Sequence, residues 1–145
     1  MNETLAQLHA RKSVRAYLDK PVAPEEKRAI LEAACAAPTA GNQQLYTILD
    51  KTDQAVKWYD AYQEGGCQPR EPGPGDLLLA FSDANIAAQN AVTAAWSLGI
   101  GSCYIGDILE RCETHRALLG LPEYVVPAAM VVFGYPTDQQ KAREK

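Results

Sequence analysis

The chain has 145 residues, a net charge of −4, and 47% hydrophobic against 22% charged residues, which is globular composition in a length suited to one domain, residues 1–145, with a moderate core. The acidic balance excludes a general nucleic-acid binder, which needs a basic face to neutralise phosphates, but it leaves room for a local anion site. No apolar run approaches the roughly 20 residues that cross a bilayer, and MNETLAQLHARKSVR at the N-terminus has no signal-peptide apolar core, so the reading is a cytoplasmic protein with no membrane partner.

Residues 3–10 read as a short helix, with Asn2 as N-cap and Leu5 and Leu8 on one face. It runs into the basic stretch Arg11–Arg15. The segment LDKPVAP (18–24) is extended, because each proline pushes its predecessor out of the α region. Pro24 suits the first turn of a second helix, with Glu25 and Glu26 beside its positive end. That helix runs to about Ala37, burying Ile30, Leu31, Ala34 and Cys35, and Pro38 ends it.

The polar loop APTAGNQQ (37–44) follows, then a short strand, Leu45–Leu49. GGCQPREPGPG (65–75) reads as a loop. From Asp76, as cap, to about Leu98 the pattern is one long alanine-rich helix, apolar nearly all round, which belongs at the middle of the fold or of an oligomer. Gly99 closes it. Ser102–Ile105 is a strand, Asp107–Leu119 a helix closed by Gly120, and Pro127–Tyr135 a strand buried on both faces. TDQQKAREK is a polar, exposed tail. The class is α+β with about three strands, a small sheet for this length.

Cys35, Cys67, Cys103 and Cys112 form no CxxC, and no histidine pair stands near them at zinc-ligand spacing. No metal and no disulfide framework is expected. Cys35 and Cys103, in apolar runs, read as small core residues.

Three stretches carry chemistry. In HARKSVR, Arg11, Lys12 and Arg15 put three cations around the Ser13 hydroxyl, which is either a phosphate site or a solvated basic turn. APTAGNQQ offers the amide side chains of Asn42, Gln43 and Gln44 beside Gly41; it is either a site for a heteroaromatic ring edge or a helix-ending turn. LGIGSCYIGD (98–107) brackets a strand with glycines, and has neither a dinucleotide fingerprint nor a P-loop lysine. His9 and His115 read as surface histidines, with no serine or cysteine placed for a triad. No side chain is singled out as catalytic, so a cofactor is expected to carry any chemistry.

In this order, RKSVR (11–15), KPV, APTAGNQ (37–43), AAQNAVTAAWSLGIGSCYIGD (87–107) and VVFGYP (131–136) resemble the nitroreductase family of FMN-dependent enzymes, over most of residues 5–136. The resemblance implies a nitroreductase-like fold: a small mixed or antiparallel sheet flanked by helices, with the long helix at a homodimer interface and FMN between subunits. Arg11, Lys12, Ser13 and Arg15 would then hold the flavin phosphate. Pro38, Thr39, Ala40 and Asn42 would pack against the flavin of the partner, while Tyr104, Ile105 and Gly106 would lie at the other face and the N5 edge. NAD(P)H would supply electrons and a small aromatic acceptor, such as a nitroaromatic or quinone, would receive them in a ping-pong cycle.

Between about Asp53 and Trp58 the sequence departs from the family, where members carry a further helix and an apolar sheet strand; one strand is expected to be missing. The family's Lys/Arg pair beyond VVFGYP has no aligned counterpart in Lys141 and Arg143. The stretch WYDAYQEGGCQPREPGPG (58–75) would supply the substrate lid. Two other functions stay open at this point: a flavin-binding module without turnover, and a family enzyme with another flavin chemistry, such as reductive dehalogenation.

Overall fold

The computed structural model describes residues 2–44, 46–50, 73–122 and 125–142. The lid stretch 58–72 and the departure at 53–58 lie outside the described residues. In chain order the elements are α1 (Glu3–Ala10), α2 (Pro24–Cys35), a 3-10 turn (Ala40–Asn42), α3 (Pro74–Ser97), β1 (Gly101–Tyr104), α4 (Asp107–Glu110), α5 (Cys112–Leu119), β2 (Val131–Gly134) and α6 (Asp138–Ala142).

The core lies between α2 and α3. Ala87, Ala91 and Ala95 recur every four residues, forming a stripe of small side chains along α3. Ile30 and Ala34 of α2, with Ala37 and Ile100, close over that stripe. Small residues let the two helices approach closely, and Asn90 Nδ2 donates across the gap to the Ala33 carbonyl at 3.2 Å. The start of α2 is tied to the end of β2 through Glu26, which accepts from the Tyr135 hydroxyl and from the Ala23 N–H. Lys20 Nζ stands 4.1 Å above the Tyr135 ring, a cation–π contact.

Among the described residues the sheet has two antiparallel strands, β1 and β2, with Gly101 opposite Gly134 and Tyr104 opposite Val131. The segment after α1 runs along this sheet without becoming a named strand. Ser13 bridges Ser102 in parallel and Tyr17 bridges Pro136 in antiparallel sense. Backbone bonds from Val14 N to Ser102 O and from Leu18 N to Tyr135 O, both 2.8 Å, hold it down.

Several expectations need correction. Residues 46–50 form no strand: Tyr46 N bonds back to Gln44 O at 2.7 Å rather than across a ladder, and Tyr46 and Ile48 pack singly against the core. Cys35 is exposed, because one position beyond Ala34 a side chain turns about 100° round the helix, away from the core face. Cys103 is buried as expected. The expected helix 107–119 breaks at Arg111 (φ −120°, ψ 44°) into α4 and α5. β2 spans only four residues, and Val132 is 37% exposed, since a two-stranded sheet cannot cover both faces. Glycine and proline at 73–75 belong to the start of α3, where Pro74 suits the first turn; Asp76 sits inside the helix and accepts from Gly73 N at 2.8 Å. In the polar tail, residues 138–142 are exposed as expected apart from half-buried Gln140, and they form α6. In a single chain α3 is not covered all round: Leu77, Leu78, Leu79 and Ile86 are exposed.

Candidate functional site

Arg11 leaves α1 with an extended backbone (φ −57°, ψ 132°), and the chain stays extended through the basic stretch. Val14, fully buried, is the anchor that pins it to β1. With Val14 inward, the side chains of Ser13 and Arg15 on either side turn the other way. The C-terminal helix closes over the same strip: Lys12 Nζ donates to the Lys141 carbonyl at 2.7 Å, and Arg15 N donates to Gln140 Oε1 at 3.3 Å. Residues 138–142, which the sequence left as a solvated tail, therefore border the basic stretch. Beneath it Tyr17 donates to the Val14 carbonyl at 2.6 Å. Burial, reinforced by Cys103 and opposed by Arg15, pushes the Tyr17 phenol up to about 12.

Tyr104 ends β1 with its ring half-covered. Its hydroxyl lies 3.5 Å from Gln89 Oε1 on α3. Burial raises its pKa, while the nearby positive charge of Arg11 works the other way. Arg11, far away in sequence, is thus close enough for its charge to act on Tyr104. Ile105 N is engaged by the Met130 carbonyl at 2.9 Å, and Gly106 follows at the start of α4, exposed.

The loop after α2 is built differently. Gly41, Asn42 and Gln44 all have positive φ (58°, 56° and 51°). For the two non-glycines this left-handed backbone costs about 1–2 kcal/mol each, so something must hold it. Inside the loop, Gln44 N donates to Thr39 Oγ1 at 3.1 Å and Asn42 N to Thr39 O at 3.1 Å. From outside, Ala40 N donates to Asp83 Oδ1 of α3 at 3.2 Å. Asp83 is 4% exposed, and its other oxygen, Oδ2, is buried with no hydrogen-bond partner among the described residues. An unpartnered buried acceptor costs about 1–3 kcal/mol. Tyr46, packed alongside, has its phenol pKa raised by burial first and then by Cys35 and Asp83.

The sequence-predicted residues therefore form two groups. Arg11, Lys12, Ser13 and Arg15 lie on the stretch pinned at Ser102 of β1, and Tyr104, Ile105 and Gly106 follow from the end of the same strand. Pro38, Thr39, Ala40 and Asn42 sit on a separate turn. Both groups are anchored on α3, one through Gln89 and the other through Asp83. Six positions separate these anchors, about 9 Å along the helix and about 120° around it.

Sequence reasoning missed Asp83 and Gln89. Asp83 did carry a signal: it is the only charged residue between Asp76 and Asp107, and a lone acid in an apolar helix is buried with a task or is an error. Gln89 carried none. His115 is not simply a surface residue: its Nε2 lies 2.9 Å from Asp107 Oδ2, with Arg111 3.4 Å from the other oxygen. Among the described residues no group of His, Cys, Asp and Glu could hold a metal ion, and no helix is long and apolar enough to cross a membrane.

Comparison with known proteins gives concordant results. The sequence profile of the nitroreductase family matches residues 8–64 and 66–135. A protein of Archaeoglobus fulgidus named for NADH dehydrogenase/NAD(P)H nitroreductase activity is 32% identical, with 97% of this chain and 89% of that protein covered. The NAD(P)H FMN reductase of Bacillus subtilis is 30% identical over 100% of this chain and 70% of its own. Among solved structures, the nitroreductase with bound FMN from Bacteroides fragilis superposes with a TM-score of 0.72 at 25% identity, covering 100% of this chain and 94% of that one.

Proposed function

The chain belongs to the nitroreductase family, and from that premise we propose that it is an FMN-dependent homodimeric oxidoreductase that passes electrons from NAD(P)H to small aromatic acceptors such as nitroaromatics or quinones. One observation carries the reading: the stretch that bears the cations at 11–15 is pinned to β1 through Ser13 and Val14 at Ser102, rather than left as a free turn. The donor set fits the phosphate of FMN. Two guanidinium groups, an ammonium group and a hydroxyl supply charge-assisted bonds at one end, and the backbone at Gly106 is open at the other.

In this reading Arg11, Lys12, Ser13 and Arg15 bind the phosphate. Gly106 offers its N–H towards the N5 edge, the neighbouring Ile105 N–H being already used. Pro38, Thr39, Ala40 and Asn42 wall the ring held by the partner subunit. The different anchors on α3, Asp83 for the turn and Gln89 for Tyr104, support this division of labour. The exposed leucines of α3 are the apolar surface that a second copy would cover. FMN, when bound, would supply the two-electron chemistry that links NAD(P)H to the acceptor. The chain's own groups bind, orient and screen that pocket from water.

The solved relative with bound FMN is covered almost entirely by this chain, so a chain of about this length is compatible with a flavin site. The reductase names of the relatives favour an enzyme over a module that binds without turnover. Steady-state rates with NADPH and a naphthoquinone test the proposal. Parallel double-reciprocal lines are expected for one pocket serving donor and acceptor in turn; intersecting lines would exclude that cycle.

A further inference from the structure

We propose that Asp83 is a positioning residue that holds the Thr39–Asn42 turn in the shape of a pocket wall, acting from α3 on the backbone of Ala40. The proposal rests on the reading of that turn as the wall of the partner's flavin pocket, and it adds a residue to which the sequence had given no role.

Three observations carry it. First, the turn holds backbone conformations that it would not keep unaided. Gly41 and Asn42 are both left-handed, and Gln44 follows with the same sign of φ. Second, the contact that reaches this turn from α3 is Asp83 Oδ1 on Ala40 N, spanning 43 residues of sequence. Third, Asp83 is a poor choice for stability alone. It is more than nine-tenths buried, and among the described residues Oδ2 has no donor. An apolar residue at this position of the stripe would avoid that orphan oxygen. A buried polar group retained at such a cost is expected where function rather than packing sets the residue.

The consequence is preorganisation. A wall fixed before binding does not have to be ordered by the ligand, so its loss appears as weaker binding rather than as unfolding. Asp83 touches neither flavin nor substrate in this account; it acts through Ala40. Asparagine at this position keeps one carbonyl oxygen for the Ala40 N–H and removes the charge, whereas alanine removes the clamp.

The test compares wild type, Asp83→Asn and Asp83→Ala in the full chain, by amide hydrogen exchange in the apo protein and by FMN titration. In Asp83→Ala, exchange at 39–44 should rise while the α2–α3 core stays protected, and FMN affinity should fall about tenfold or more, as loss of preorganisation requires. Asp83→Asn should stay near wild type in both. Unchanged exchange at 39–44 in Asp83→Ala would overturn the clamp. A loosened turn with unchanged FMN affinity would overturn its role in the pocket. General loss of protection in Asp83→Ala would mark a core residue and also overturn the proposal. Failure of wild type to take up FMN would instead overturn the flavin reading itself.

Discussion

Gly101 and Gly134 face each other across the β1–β2 ladder, and each lies directly beneath a side chain of the segment 13–17, Val14 over the first and Tyr17 over the second. A Cβ on Gly101 would stand 2.6 Å from Val14 Cγ2, and one on Gly134 would stand 2.7 Å from Tyr17 Cδ1. The paired glycines are the gap into which residues 13–17 settle. Gly101→Ala should therefore lower stability by about 1–3 kcal/mol through overpacking, read by urea unfolding, and weaken FMN binding as the strip lifts. Gly75→Ala is the contrast: nothing lies within 4 Å of its Cβ, and a helical Gly→Ala change should be neutral or stabilise by about 0.5–1 kcal/mol.

Arg15→Ala should raise the Kd for FMN about tenfold or more, since a hydrogen bond to a charged group is worth about 1.5–3 kcal/mol. Fluorescence titration at two salt concentrations checks it, and the deficit should shrink as salt rises. Affinity equal to wild type would remove Arg15 from the phosphate site.

Tyr17 titrates in an unusual range. Burial pushes its phenol from the usual 10.0 up to about 12, so between these values the unfolded chain has lost a proton that the folded chain keeps. The stability this gives is fully present below pH 10 and is lost as pH rises towards 12. Unfolding of Tyr17→Phe should show a flatter decline across that window. An identical slope in the variant would assign the decline to other groups.

Ile86, exposed on α3, tests the dependence on a second subunit. Ile86→Glu leaves the α2–α3 packing untouched but places a charge on the apolar face. Sedimentation should show a shift to monomer, with most of the flavin lost, because the wall at 38–42 then serves no ring. A monomer retaining its FMN would contradict the shared site.

Much of this was legible in the chain. The N-cap at Asn2, the proline opening α2, the long alanine-rich helix and the glycine-bracketed β1 follow from local rules of capping, backbone restriction and periodicity, and each occurs within a few residues of its expected place. What failed had non-local causes. Leu45–Leu49 has strand composition, but Tyr46 turns back onto Gln44 instead of joining a ladder. Cys35 sits in an apolar run yet falls on the wrong side of α2. The basic stretch was ambiguous alone, because its order comes from Ser102, Tyr135 and Gln140, all distant in sequence. Asp83 was visible as a lone charge, but its target, an amide 43 residues earlier, was not.

The measurement that tests the central claim most directly is one absorption spectrum, taken before and after anaerobic addition of NADPH. The account predicts a yellow protein whose flavin band bleaches with NADPH and returns on addition of a quinone, with FMN released on denaturation. A colourless protein that takes up no added FMN, or a bound flavin that NADPH leaves oxidised, would contradict it.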